Sequence, residues 1–95
     1  MGLMRGTFRS TNLEGASLKG ANLNRAMLEF ASLKNADLSG ASLKESEIAG
    51  ADLTGVNVAG ADFTGADVNS ARIGAMSGAA KNLDEAKNLD KAYRN

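Results

Sequence analysis

Residues 16–25 read ASLKGANLNR, and residues 36–40 and 51–55 read ADLSG and ADLTG. In each of these blocks a large apolar residue stands at the centre, and a small residue stands two places before it. The same five-residue period runs without interruption from Gly6 to Ala75. Such a regular period over most of a chain predicts a repeat architecture, in which each unit packs against its neighbours.

The central position is apolar in every repeat. Because the small and the central residue are two apart, they lie on the same side of an extended segment. A five-residue period fits neither a helix, whose apolar stripe would drift around the axis, nor a straight strand, whose successive centres would alternate faces. We therefore predict a chain that takes an extended step, turns a corner and repeats. Its structural core consists of the central residues Phe8, Leu13, Leu18, Leu23, Leu28, Leu33, Leu38, Leu43, Ile48, Leu53, Val58, Phe63, Val68 and Ile73.

The corner position lies two residues after each centre and carries glycine in half of the repeats. Glycine at the third place of a turn supplies the positive φ of type II turns, so we expect type II turns there. Three corners instead carry the bulky residues Arg25, Phe30 and Glu45. Because a β-carbon disfavours positive φ, we expect a negative φ at these three residues.

These units resemble the A(D/N)LxG repeat of the pentapeptide-repeat family, and the likeness extends over about three quarters of the chain. The resemblance implies an all-β solenoid: a right-handed, quadrilateral β-helix with one repeat per side and twenty residues per coil. Residues 1–75 would then form a pentapeptide-repeat β-helix of about three and a half coils. Three repeats depart from the usual residue at the small position and carry Thr11, Ser46 and Val56 there. These changes affect the repeat locally and leave its five-residue phase unchanged.

A twenty-residue coil would place each residue one strand spacing, about 4.8 Å, from the residue twenty places on. In four stacked pairs the two residues then have opposite charges, and their attraction could help to fix the register of the coils. One pair, Glu47 and Asp67, has like charges. The four favourable pairs are Arg9 with Glu29, Glu14 with Lys34, Arg25 with Glu45, and Asp52 with Arg72.

Residues 76–95 break the five-residue period and predict a C-terminal helical cap. Apolar residues from Ala79 onward follow the three-four spacing of one helix face, which indicates a short α-helix. Such a helix could cover the exposed end of the solenoid or join two copies in a homodimer. In the alternative interpretation this segment is a degenerate final coil, since Leu83 and Ala86 remain in phase. The residues of the predicted cap or dimer contact are Leu83, Ala86, Leu89 and Tyr93.

The composition argues against catalysis. The chain has no histidine or cysteine, and its outward carboxylates are spread over different sides of the coil. We therefore expect no catalytic residues, no cofactor and no metal site. The formal net charge is zero, so neither nucleic acid nor a membrane is an expected partner. No signal-peptide pattern is visible, which makes the cytoplasm the default expectation.

Two functions remain compatible with these observations. The first is a non-catalytic structural or protein-interaction module, built as a rigid rod for a protein partner that the sequence does not identify. The second follows from the resemblance, because some family members imitate duplex DNA and bind DNA gyrase, giving quinolone resistance. Zero net charge and short length disfavour it, since duplex DNA carries a negative charge every 1.7 Å or so.

Overall fold

The computed structural model describes residues 2–94, which wind as a coil with twenty residues per turn. Residues twenty apart pair through parallel β-bridges, for example Asn12 with Ser32 and Ser32 with Asp52. The N–H of Ser32 donates to the carbonyl of Thr11 at 3.0 Å, and the N–H of Leu13 donates to the carbonyl of Ser32 at 2.7 Å. Successive turns are therefore held together by backbone hydrogen bonds, with the stacking that the repeat predicts.

Each turn has four sides, and each side contains one bridged residue, the one before the centre. Within residues 2–94 no bridge extends into a longer strand, and there is no α-helix. We name the sides by their repeats in the middle of the coil. Side one is 21–25, 41–45 and 61–65; side two is 26–30, 46–50 and 66–70; side three is 31–35, 51–55 and 71–75; side four is 36–40, 56–60 and 76–80.

The core is a stack of layers made by the central and small positions. From Leu18 to Ile73 every central residue is buried, and Leu38 and Phe63 are completely inaccessible. The predicted core residues Phe8 and Leu13 are only partly buried, because they lie in the first turn, which has a neighbouring turn on one side alone. Ser46 is buried at a small position, where its hydroxyl donates to the carbonyl of Leu43 at 2.7 Å.

The prediction of a negative φ at the bulky corners is wrong. Arg25, Phe30 and Glu45 have φ of 61°, 60° and 56°, in the same left-handed region as the glycine corners. The N–H of Arg25 donates to the carbonyl of Lys44 in the next turn at 2.9 Å, and that hydrogen bond recurs at the other corners. The stacking of the coil therefore imposes the corner conformation, and a residue with a β-carbon accepts a strain of about 1–2 kcal/mol.

Gly60 offers a test of this strain without a steric clash. Its φ is 72°, and an added β-carbon would lie 3.8 Å from the nearest atom, the backbone nitrogen of Gly40. We expect Gly60→Ala to lower the free energy of unfolding by about 1 kcal/mol, since alanine has φ > 0 there. Urea unfolding measures the change. An unchanged urea midpoint would show that alanine adopts the positive φ of this corner without a loss of stability.

The predicted C-terminal α-helix is also wrong, and the structure agrees with the alternative of a degenerate final coil. Residues 77–93 continue the parallel ladder through the pairs Asp62 with Lys81, Asp67 with Lys87, and Arg72 with Tyr93. Two single 3-10 turns lie between these bridges, at Leu83–Glu85 and Leu89–Lys91. The ladder is thus longer than three and a half coils, because it includes the segment assigned to a cap.

The final coil changes its repeat length without losing its pairing. The bridge spacing falls to nineteen residues at Lys81 and reaches twenty-one at Tyr93. Asn82 and Asn88, with φ of 57° and 61°, supply the additional left-handed residues. Residues 81–86 and 87–92 read KNLDEA and KNLDKA, a six-residue repeat that contains these asparagines. A short isolated helix is marginal in water, whereas every bridged residue here gains hydrogen bonds to the preceding turn.

Candidate interaction surface

The outward side chains are held rigidly because many of them bond to the backbone of their own repeat. Asp37, Asp52 and Asp62 each accept a hydrogen bond from the N–H two residues later, at 2.9–3.0 Å. Each also accepts the hydroxyl hydrogen of the serine or threonine at that place, at 2.6 Å. This local bonding fixes the direction of the outward carboxylates, and the buried core behind them fixes their spacing.

These hydrogen bonds favour the charged form of the three carboxyl groups. The hydroxyl of Ser39 is the main cause that lowers the pKa of Asp37 below its ordinary value of 3.8. The hydroxyls of Thr54 and Thr64 lower the pKa values of Asp52 and Asp62 in the same way. A carboxylate that accepts hydrogen bonds loses its proton more readily, so the folded protein binds fewer protons than the unfolded chain in this pH range.

The stability of the fold should consequently fall as the pH drops below about 4. The unfolded carboxyls titrate near 3.8, and the folded ones titrate lower, so their contribution is present above 3.8 and is lost through the folded pKa values. Thermal unfolding between pH 7 and pH 2 measures this loss. A variant with Asp37→Asn, Asp52→Asn and Asp62→Asn should show a flatter dependence of stability on pH. Asn57 already accepts the same backbone hydrogen bond without titrating, so the substitutions should keep that bond. An equally steep profile in that variant would contradict the assignment.

The predicted charge pairs are formed in part. Arg9 pairs with Glu29 at 3.2 Å, and Arg25 pairs with Glu45 at 3.4 Å. Two further lysines bond diagonally across the ladder, Lys34 to Asp52 at 3.8 Å and Lys44 to Asp62 at 3.9 Å. The predicted pairs of Glu14 with Lys34 and of Asp52 with Arg72 are not salt bridges within residues 2–94, because Lys34 reaches Asp52 instead. Exposed pairs of this kind contribute about 0.2–1 kcal/mol each.

Side two differs from the other three sides in its charge. Its middle repeats carry the carboxylates Glu29, Glu47 and Asp67 without a lysine or arginine, whereas Arg9 of the first turn pairs with Glu29 and Lys87 of the final coil bridges Asp67. Sides one and three carry charges of both signs in these repeats, and side four has Asp37 there, with Lys19 in the first turn. Glu47 and Asp67 stack directly through a parallel bridge, as predicted for this like-charge pair. Side two therefore has carboxylates in its middle turns and a cation at each end.

Side two also presents the most exposed large apolar side chain of the described residues. Phe30, at the corner of side two, is 72% exposed, and Met27 lies half-buried on the same repeat. Sequence reasoning treated Phe30 only as a bulky corner and did not consider it as a contact residue. The signal was present, because an aromatic residue stands at an outward position that is otherwise small, polar or charged.

The residues predicted for a cap or a dimer lie in the final coil. Leu83, Ala86 and Leu89 are partly buried and pack against the core of their own chain. Tyr93 is 53% exposed, and its backbone pairs with Arg72. A homodimer through these residues stays a prediction, and three of its four proposed contacts already cover the last layer of the coil.

The outward surface presents charged and hydrogen-bonding side chains. Within residues 2–94 no group of acidic, histidine or cysteine side chains is arranged to hold a metal ion. The same residues contain no helix that is long and apolar enough to cross a membrane. The outward groups are single carboxylates, amides, hydroxyls and cations in fixed files, which suits recognition of a complementary surface.

The chain belongs to the pentapeptide-repeat family. The family model, described as pentapeptide repeats, matches residues 7–45 and 31–73 with eight copies of the repeat. Comparison with curated protein sequences finds no significant match. The family assignment therefore rests on the repeat and on solved structures.

Two crystal structures of pentapeptide repeat proteins are similar to the chain. One, from Nostoc PCC 7120, is 31% identical with a TM-score of 0.74, and the match covers 87% of this chain and 64% of that one. The other, from the Arabidopsis thaliana thylakoid lumen, is 30% identical with a TM-score of 0.50, and the match covers 88% and 62%. The chain thus spans less than two thirds of the length of either relative.

The fluoroquinolone resistance protein QnrB1 also matches, at 23% identity and a TM-score of 0.33, over 84% of this chain and 56% of QnrB1. A likeness at this level carries no argument about function.

Proposed function

We propose that this protein is a non-catalytic interaction module, a rigid β-helical rod whose sides bind a protein partner. The observation that supports this proposal is the fixed spacing of the outward side chains. On each side they form straight files. Within a file, successive side chains lie about 4.8 Å apart, because parallel bridges join the successive turns. A surface that is already ordered loses little conformational entropy on binding, which favours recognition of a partner along a side.

The packing of the interior supports the same proposal. The central residues from Leu23 to Val68 have almost no accessible surface, so the interior is filled by side chains. Binding by this coil would then use its outside, where the side chains vary from side to side while the core repeats. Repeat proteins commonly separate a constant core from a variable binding surface in this way.

Side-wide substitution tests this function. Four variants would each carry serine at the outward polar and charged positions of one side, with the core and the glycines unchanged. Affinity capture with quantitative mass spectrometry should identify a protein that one variant loses and the other three retain. A protein retained by all four variants, or no protein enriched over a rod with all four sides replaced, would contradict the proposal.

The alternative, a DNA-mimicking binder of gyrase, predicts a different measurement. We expect no inhibition of gyrase supercoiling at micromolar protein, because sides one and three carry lysine and arginine among their carboxylates and the net charge is zero. A mimic of duplex DNA needs a nearly continuous negative surface. Inhibition in that range, lost when Glu47 and Asp67 are neutralised, would favour the alternative.

A further inference from the structure

Three corner side chains lie over a glycine of the next turn. A β-carbon added to Gly50 would lie 2.5 Å from Cε1 of Phe30, well inside the distance of about 3.5–4.0 Å at which non-bonded carbon atoms pack. A β-carbon added to Gly55 would overlap Oδ1 of Asn35. These glycines therefore provide space as well as a positive φ. The three corner pairs are Phe30 with Gly50, Asn35 with Gly55, and Glu45 with Gly65, where the added β-carbon would lie 3.2 Å from Cγ of Glu45.

The glycine corners of side four lack this restriction. An added β-carbon at Gly60 would lie 3.8 Å from the nearest atom of Gly40, and one at Gly40 would lie 4.0 Å from Gly20. The φ values of Gly50 and Gly60 are 71° and 72°, so the backbone conformation does not distinguish the two kinds of corner. The difference comes from the residue one turn earlier, which has a side chain before Gly50 and none before Gly60.

Some corners with side chains follow one another without a glycine. Ser10 precedes Phe30 by one turn, and Arg25 precedes Glu45. Nε of Arg25 lies 3.4 Å from Oε1 of Glu45, so the long arginine side chain reaches the end of the next side chain along the corner. The steric restriction therefore belongs to the three corner pairs and not to every corner with a side chain.

The core by itself accepts more than one stacking register. Every central residue is apolar and the centres recur every five residues, so stacking each residue on the one fifteen or twenty-five places later would also bring apolar centres together. A step of fifteen would place Glu45 after Phe30, and a step of twenty-five would place Ser70 after Glu45. Of these three steps, only the observed step of twenty puts glycine after Phe30, Asn35 and Glu45 alike.

We infer that the three corner pairs select the twenty-residue register of the coil, because each side chain disfavours a β-carbon at the corner one turn later. This role accounts for the presence of Phe30 at a corner with a φ of 60° and a side chain that is 72% exposed, where glycine would avoid the strain. The corner pairs act within the chain, so their role does not depend on the proposed function.

A double-mutant cycle with Phe30→Gly and Gly50→Ala tests the contact. In urea unfolding, Gly50→Ala should raise the equilibrium constant of unfolding by a factor about fivefold larger in the wild type than in the Phe30→Gly variant, as for residues in direct contact. Gly60→Ala is the matched control, since it adds the same methyl group at the same φ on another corner. Its effect should be equal in the two backgrounds. Equal effects of Gly50→Ala in both backgrounds would overturn the inference.

Duplication of residues 36–40 tests the register. The added ADLSG repeat keeps the five-residue phase, but it places Glu45 instead of Gly50 one turn after Phe30. Asn35 still precedes a glycine, because Gly50 then follows it. We expect the duplication to lower the urea midpoint at least twice as much in the wild type as in the Phe30→Gly variant.

Deletion of residues 36–40 is the control for the duplication. It also keeps the phase, and it places Gly55 one turn after Phe30, so Phe30→Gly should shift the midpoint of the deleted chain as it shifts that of the wild type. A duplicated chain that loses the same stability with and without Phe30→Gly would overturn the inference, and so would one that fails to fold in both forms. Folding of the duplicated chain only with Phe30→Gly would support it.

Discussion

Replacing Leu38 by alanine is expected to lower the free energy of unfolding by about 2–5 kcal/mol. Leu38 lies at the centre of side four with no accessible surface, between turns that pack above and below it. The backbone on both sides of the residue is fixed by the ladder, so the surrounding layers have little freedom to collapse into the cavity. The cost should therefore include a cavity contribution in addition to the lost transfer of the side chain from water.

Urea unfolding of the wild type and of Leu38→Ala measures this difference. Lys19→Ala, at an exposed outward position of the same side, is the control and should change the stability by less than about 0.5 kcal/mol. A loss of under 1 kcal/mol for Leu38→Ala would show that the layers relax and that the stack of central residues is not tightly packed.

Deletion of residues 79–95 is expected to destabilise the coil by several kcal/mol and to cause aggregation. The missing segment contains the backbone acceptors for six N–H groups of the preceding turn, those of Gly60, Phe63, Gly65, Val68, Ser70 and Ile73. Deletion also uncovers Phe63, Val68 and Ile73, and burial of such side chains contributes about 1.5–3 kcal/mol each when complete. The exposed bridge edges would then be free to pair with other molecules.

Thermal unfolding and light scattering at a fixed protein concentration measure the two effects. Deletion of residues 94 and 95 alone is the control, because it retains the pairing of Arg72 with Tyr93. A truncated protein that unfolds at the wild-type temperature and scatters like the control would contradict an integral role for the last coil in the fold.

Much of the candidate surface follows from the sequence once the coil is known. The five-residue period assigns each residue to a side, and the twenty-residue turn places Glu47 over Asp67. What the sequence did not show is the exposure of Phe30 and the way its ring lies on Gly50. Those depend on the direction in which a corner side chain leaves a strained backbone, which no periodicity describes.

The sequence by itself determined the repeat and the core, and its resemblance to pentapeptide repeats implied the twenty-residue register of the turns. A period of five with apolar centres has one consistent solution, because neither a helix nor a straight strand can bury every centre on one side. From Leu18 to Ile73 the centres are all buried, as expected when stacked turns remove apolar surface from water.

Only the tertiary structure decided the corners and the C-terminal end. At Arg25 and Glu45 the residue alone favours negative φ, but the hydrogen bonds between turns require the positive φ that is observed. In residues 79–93 local spacing favours a helix, but pairing with the preceding turn supplies partners for backbone groups and covers the last core layer. Both contributions depend on residues about twenty positions away, so local preference could not reveal them.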